Sequence, residues 1–199
     1  MSLDTYTGLV AEVGNWLDRP DLAARVPTFI RLVESKVNRR LSDPDMEQVS
    51  TSTASSDYTA LPDGFGEMVS ISTGDLPLAP MSAVEYAGID SAITGRPRFY
   101  IIVDGAIGFY PRDATAAIRI VYRKNVPALT SSNATNWLLT RAPDVYLYGA
   151  LTEASAFLVE DDRAGSWKAL FDQAMAELMI DADRRRWGVG PLAPRIRRT

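Results

Sequence analysis

Apolar positions recur every three or four residues at both ends of the chain and alternate, or run together, in its middle. Near the start, Tyr6, Leu9, Val10, Val13, Trp16 and Leu17 share one stripe, the spacing of a helix with one buried face. Thr5 or Asp4 can cap it by accepting from a free N–H of the first turn. Arg19, Pro20 and Asp21 break it, and residues 22–25 fit a short helical turn. Pro27 suits the first position of a second helix, where a missing N–H costs nothing. Phe29, Ile30, Val33, Val37 and Leu41 supply its buried face. Arg31, Glu34, Lys36, Arg39 and Arg40 take the other positions, and Asp43-Pro44-Asp45 stops it.

The texture changes at Met46. From there to Asn125 Ser, Thr, Val, Ile, Gly and Pro dominate. Val49, Thr51 and Thr53 alternate with Ser50 and Ser52, which predicts a strand with two unlike faces. Residues 58–61 form a second strand, ended by Pro62-Asp63-Gly64. Residues 67–73 form a third, with Met68 and Ser70 opposite Val69 and Ile71. Gly74-Asp75 turns into residues 76–80, and residues 82–93 hold one or two helical turns. Phe99–Val103 and Ala106–Tyr110 flank Asp104-Gly105, a pair that accepts the positive φ angles of a two-residue hairpin turn. Residues 117–122 are expected to pair beside this hairpin, and residues 125–129 to leave the sheet.

In the last quarter Asn136-Trp137-Leu138-Leu139 leads into two helices. Residues 143–159 are apolar nearly all round, with Val145, Tyr148, Leu151 and Leu158 on one face and Ser155 its one small polar residue. Such a helix is normally enclosed by others. The final helix carries one stripe of Trp167, Leu170, Phe171, Ala174, Met175, Leu178 and Ala182. Glu160, Asp161 and Asp162 precede it and oppose its dipole, Arg184, Arg185 and Arg186 suit its last turn, and Gly188 ends it. Strands between two helical portions make the chain α+β. Residues 1–45 and 130–188 are expected to form a helical bundle, 46–129 an inserted antiparallel β module, and 189–199 an extended C-terminal tail, disordered on its own.

Composition narrows the chemistry. With no cysteine and no histidine, thiolate sites, most zinc sites and His-dependent catalysis are excluded. No apolar run is long enough to span a membrane. The first residues show no secretory leader, and synthesis inside a cell is the simplest reading. The net charge of −4 conceals an asymmetry: six arginines and no acid follow from Arg184 onward, and before it 15 basic residues face 25 acids, a balance of −10. Such a body repels a nucleic acid backbone, while its C-terminal end can grip an acidic partner.

Candidate sites are few. The pair Asp43 and Asp45 could ligate a hard cation, but a helix stop explains it better. Glu153 and Glu160, two turns apart, could flank a glycosidic bond, but nothing else describes a sugar cleft. Ser166 lacks the strand–turn–helix setting of a nucleophile elbow and suits a helix start. Trp16, Trp137 and Trp167 belong to helical stripes and are expected in the core. Trp187, beside the arginines, is a contact candidate. No metal or cofactor is expected.

The order of motifs is specific as a set. Trp16-Leu17-Asp18-Arg19-Pro20-Asp21-Leu22 leads to the Pro27 helix, which ends Asn38-Arg39-Arg40-Leu41. Gly95-Arg96-Pro97-Arg98-Phe99-Tyr100 precedes the Asp104-Gly105 hairpin and its Phe109-Tyr110-Pro111 exit. Val126-Pro127-Ala128-Leu129, Asn136-Trp137-Leu138-Leu139, Asp144-Val145-Tyr146-Leu147-Tyr148-Gly149 and the Arg-rich end before Trp187-Gly188 follow. Together they resemble the head-to-tail adaptor (connector) family of tailed bacteriophages, the short-tailed type especially. That resemblance implies a structural virion protein at the neck. It would form a ring, usually of twelve copies, under the portal ring, with tail nozzle or tube proteins on the far side. Double-stranded DNA would pass through the lumen without being held, and no membrane would be involved. The expected portal contact is Arg184, Arg185, Arg186, Trp187, Leu192, Arg195, Ile196, Arg197 and Arg198, and the free protein is expected to be a monomer made in the host cytoplasm. Two other readings stand beside this one: a tail-associated cell-wall hydrolase, and a DNA-binding module using the Arg-rich end.

Overall fold

The computed structural model describes residues 3–54, 58–158 and 163–188. The chain divides into two compact units, residues 1–44 with those from 126 onward, and residues 45–125.

The first unit is helical. It contains α1 (Tyr6–Leu17), α2 (Val26–Arg40), α4 (Trp137–Arg141), α5 (Pro143–Phe157) and α6 (Ala164–Trp187); the short α3 belongs to the other unit. Thr5 caps α1, its Oγ1 accepting from Gly8 N–H at 3.2 Å. Leu9, Val13 and Leu17 are buried, but Trp16 at the stripe's edge is 41% exposed. The turn after α1 is a 3-10 helix at Pro20–Leu22, slightly earlier than the expected one, because Pro20 presets φ for its first position. Pro27 takes the second position of α2. The five expected core residues of that helix are all buried, and Glu34 joins them at 5% exposure.

α5 lies at the centre and packs against α1, α2, α4 and α6. Val145, Tyr146, Leu147, Ala150, Leu151, Ala154 and Ser155 are buried. The close approach depends on Gly149: a Cβ there would stand 2.7 Å from Val33 Cγ2 and 3.0 Å from Phe171 Cε2. α6 buries Phe171, Ala174, Met175, Leu178 and Ala182. Glu160, Asp161 and Asp162 lie outside the described residues, and the cap position of α6 falls on Arg163, with no side-chain cap bond. At the other end Gly188, at φ 70°, donates its N–H to Arg184 O at 2.8 Å and closes the helix.

Trp137 departs from expectation. It is half-buried, with the Arg141 guanidinium 4.8 Å above its ring. Leu138 and Leu139 take the buried positions instead. Trp167 is also only half-buried; its ring lies 5.6 Å from that of Trp16 and 6.4 Å from that of Tyr148.

Among its described residues the second unit holds eight strands: β1 (Glu47–Thr53), β2 (Tyr58–Ala60), β3 (Phe65–Thr73), β4 (Leu76–Pro77), β5 (Ala79–Pro80), β6 (Phe99–Val103), β7 (Ala106–Tyr110) and β8 (Ala117–Lys124), with α3 (Ala83–Ala87) between β5 and β6. They form two sheets, ordered β1-β8-β3-β4 and β2-β7-β6-β5. Pairing is antiparallel except between β5 and β6, where two residues run parallel. Ile71, Ile118, Ile120 and Tyr122 of one sheet and Ile107 and Phe109 of the other gather in one apolar core, as facing sheets do.

Two strand expectations need correction. β8 does not extend the β6–β7 hairpin; it pairs with β1 and β3 in the other sheet. Pro111 follows β7 and has no N–H to offer a ladder, so the chain crosses over before β8 starts. In β3, Met68 and Ile71 do not lie on opposite faces: both meet the core. A register shift between Met68 and Ser70 inserts one residue and resets the alternation. The hairpin turn is as expected, with φ 49° at Asp104 and 70° at Gly105. Ser82 and Glu85 form a reciprocal capping box on α3.

Candidate interaction site at the end of the last helix

The arginine-rich end of α6 is built onto the helical unit by a buried carboxylate. Asp43, just beyond α2, is fully buried and receives Arg141 Nη2 from α4 and Arg185 Nη2 from α6. Arg185 Nε also reaches Asp181 one turn back, at 3.2 Å. Arg186 Nη2 donates to Ser42 Oγ at 3.1 Å. Two cations on a buried acid satisfy a charge that would otherwise be very costly to leave unpaired. The last turn of α6 is thus tied to the Ser42–Asp43 segment, and through Asp43 to Arg141 of α4.

The two other side chains of that turn point elsewhere. Arg184 is exposed and forms no salt bridge among the described residues. Trp187 is 63% exposed and Ile180, seven residues earlier, is 52% exposed. Positions 180, 184 and 187 share a helical face, opposite the buried stripe. The predicted contact set is therefore divided: Arg184 and Trp187 face outward, Arg185 and Arg186 are engaged within the chain, and Leu192, Arg195, Ile196, Arg197 and Arg198 lie outside the described residues.

A second polar cluster escaped the sequence reading, which placed Glu34 among the outer positions. Glu34 Oε1 accepts from Leu129 N–H at 2.7 Å and from Tyr146 Oη at 3.3 Å. Asn136 Nδ2 donates to Tyr146 Oη at 2.8 Å and to Pro127 O at 2.7 Å, while Asn136 Oδ1 caps α4 through Leu139 N–H at 2.8 Å. Burial raises the Glu34 pKa against the pull of those donors. Burial also lifts the Tyr146 phenol far above its ordinary range, so it remains a neutral donor. The signal was present in the spacing: Ile30, Glu34, Val37 and Leu41 step by four, three and four along the buried face. The cluster pins the irregular segment that returns from the β unit, and Asn38 Oδ1 helps by accepting from Val126 N–H at 2.8 Å.

The remaining candidates are accounted for by structure. Glu153 pairs with Lys36 Nζ, and its proposed companion Glu160 lies outside the described residues. Ser166 sits in the first turn of α6. Asp43 is committed to arginines. Among the described residues no group of three acids could hold a metal ion, and no helix is long and apolar enough to cross a membrane. The sequence profile of the SU10 adaptor protein family matches residues 4–195. A comparison with curated proteins finds no match.

Proposed function

Because the chain belongs to the SU10 adaptor protein family, a family of bacteriophage head-to-tail adaptors, we propose that it joins the capsid to the tail at the neck of the virion. The observation that carries this reading is the extent of the match, residues 4–195 of 199. In this reading the chain is made in the host cytoplasm and assembles as a ring beneath the portal ring, with the twelve copies that the resemblance implies. Tail nozzle or tube proteins attach on the other side. It works by contact alone and makes or breaks no bond.

Charge supports a passive duct. Before Arg184, 15 basic residues face 25 acids. Duplex DNA carries about one charge per 1.7 Å, so a net negative wall lets it slide where a basic wall would retain it. The outward Arg184 and Trp187, with the basic residues 189–199, supply the portal contact. Desolvated arginine–carboxylate pairs and an aromatic anchor are what such contacts use.

The mass of the particle formed with purified portal protein tests the proposal. A complex of portal ring plus a full complement of this chain is expected, and no association would refute it. The reading as a DNA-binding module draws on the same arginines and predicts steeply salt-dependent binding of duplex DNA by the isolated chain. The adaptor reading predicts little binding, and one salt titration separates them.

A further inference from the structure

The arginine triplet of α6 contains two kinds of residue. We infer that Asp43 is a positioning residue: by holding Arg185, it aims the outer face of the last helical turn, Arg184 and Trp187, at the partner protein. The part of this inference that concerns docking rests on the adaptor reading; the part that concerns the helix end does not.

The geometry supplies the reasons. Asp43 has no exposure and so is itself unavailable to a partner. It gathers Arg141 and Arg185 on one carboxylate oxygen, Oδ2. Arg185 is held from a second side by Asp181, and Arg186 is held by Ser42. Successive residues on a helix differ by about 100° in direction. Turning positions 185 and 186 toward the Ser42–Asp43 segment therefore leaves 184 and 187 facing away from it. Helix ends fray readily when nothing holds them. Without the clamp, the last turn of α6 would present Arg184 and Trp187 over a spread of directions, and part of the docking free energy would go to ordering them.

The partner this face fits is an acidic protein surface with an apolar recess. Arg184 supplies a planar cation, and Trp187 and Ile180 supply exposed apolar area. The probe is the purified portal protein of the same virus.

The chain has no cysteine, so a nitroxide pair can be placed at Ser35→Cys on α2 and Asp183→Cys on α6, both exposed. The distance distribution should be narrow in the parent and broaden in Asp43→Asn. In the unlabelled chain Asp43→Asn should weaken portal binding about tenfold or more, and Arg184→Ala should weaken it without broadening the distribution. If Asp43→Asn does not fold, Arg185→Gln with Arg186→Gln releases the helix end and leaves Asp43 its Arg141, and the same broadening and loss are expected. An unchanged narrow distribution in the released variant overturns the inference, as does wild-type affinity with a broadened one. If the wild-type chain does not bind portal, the adaptor reading fails, and the distance measurement still decides whether Asp43 positions the helix end.

Discussion

Replacing Tyr146 by Phe isolates the buried polar cluster, because it removes one oxygen and little volume. Tyr146 is fully buried. Its hydroxyl accepts from Asn136 Nδ2 at 2.8 Å and donates to Glu34 Oε1 at 3.3 Å. In the variant Asn136 keeps Pro127 O as one partner but leaves its other amide hydrogen unpaired in the interior. Such a group costs about 1–3 kcal/mol. Glu34 keeps Leu129 N–H and loses a long, weak bond, adding about 0.5–1 kcal/mol. The expected loss is about 1.5–4 kcal/mol, read as a lower urea midpoint at unchanged slope. By the usual scaling for a protein of this size, that is a fall of about 3–16 °C in melting temperature. A change below about 0.5 kcal/mol would mean that the hydroxyl is solvated or that Asn136 finds another acceptor, and the pinning of the return segment would have to be assigned elsewhere.

Three further outcomes follow from the same geometry. Glu34 has a folded-state pKa raised by burial, so its contribution to stability is fully present below its ordinary value and is lost as pH rises through the folded value; Glu34→Gln should flatten that decline in urea melts carried upward in pH from the ordinary carboxyl value, and an unchanged profile would show that another group titrates. Gly149→Ala should lose about 1–3 kcal/mol through overpacking against Val33 and Phe171, although alanine favours a helix by about 1 kcal/mol; a variant more stable than wild type would show that the helices can separate freely. Trp137→Ala should cost about 1–3 kcal/mol rather than the ~3–5 of a fully buried tryptophan, since its ring is half-exposed under Arg141, and calorimetry can distinguish the two.

The helices were legible because their apolar spacing is strong and their ends carry Thr5, Pro27, Asn136, Pro143 and Gly188, each with a local physical role. The hairpin at Asp104-Gly105 was legible for the same reason: the turn chemistry is written in two adjacent residues. Sheet partners were not. β8 alternates correctly, but alternation says only which face is buried and not which strand lies alongside. The bulge at Met68–Ser70 leaves no mark in the hydrophobic pattern at all. The clamp at Asp43 was hidden because its three parts are separated by long stretches of chain, and an Asp-Pro-Asp stop looks the same whether its first carboxylate meets water or two arginines. Glu34 could have been placed by angle, but its charge argued for solvent and outweighed its position.

Both crossings from the helical unit are made fast on that side before the chain departs. Asp43 is held by Arg141 and Arg185, and Val126 by Asn38. What lies between is joined like a graft to a rootstock that keeps its own shape. Substitutions and changes of length between those two ties should leave the helices undisturbed, so residues 45–125 can diversify while the helical unit stays constant.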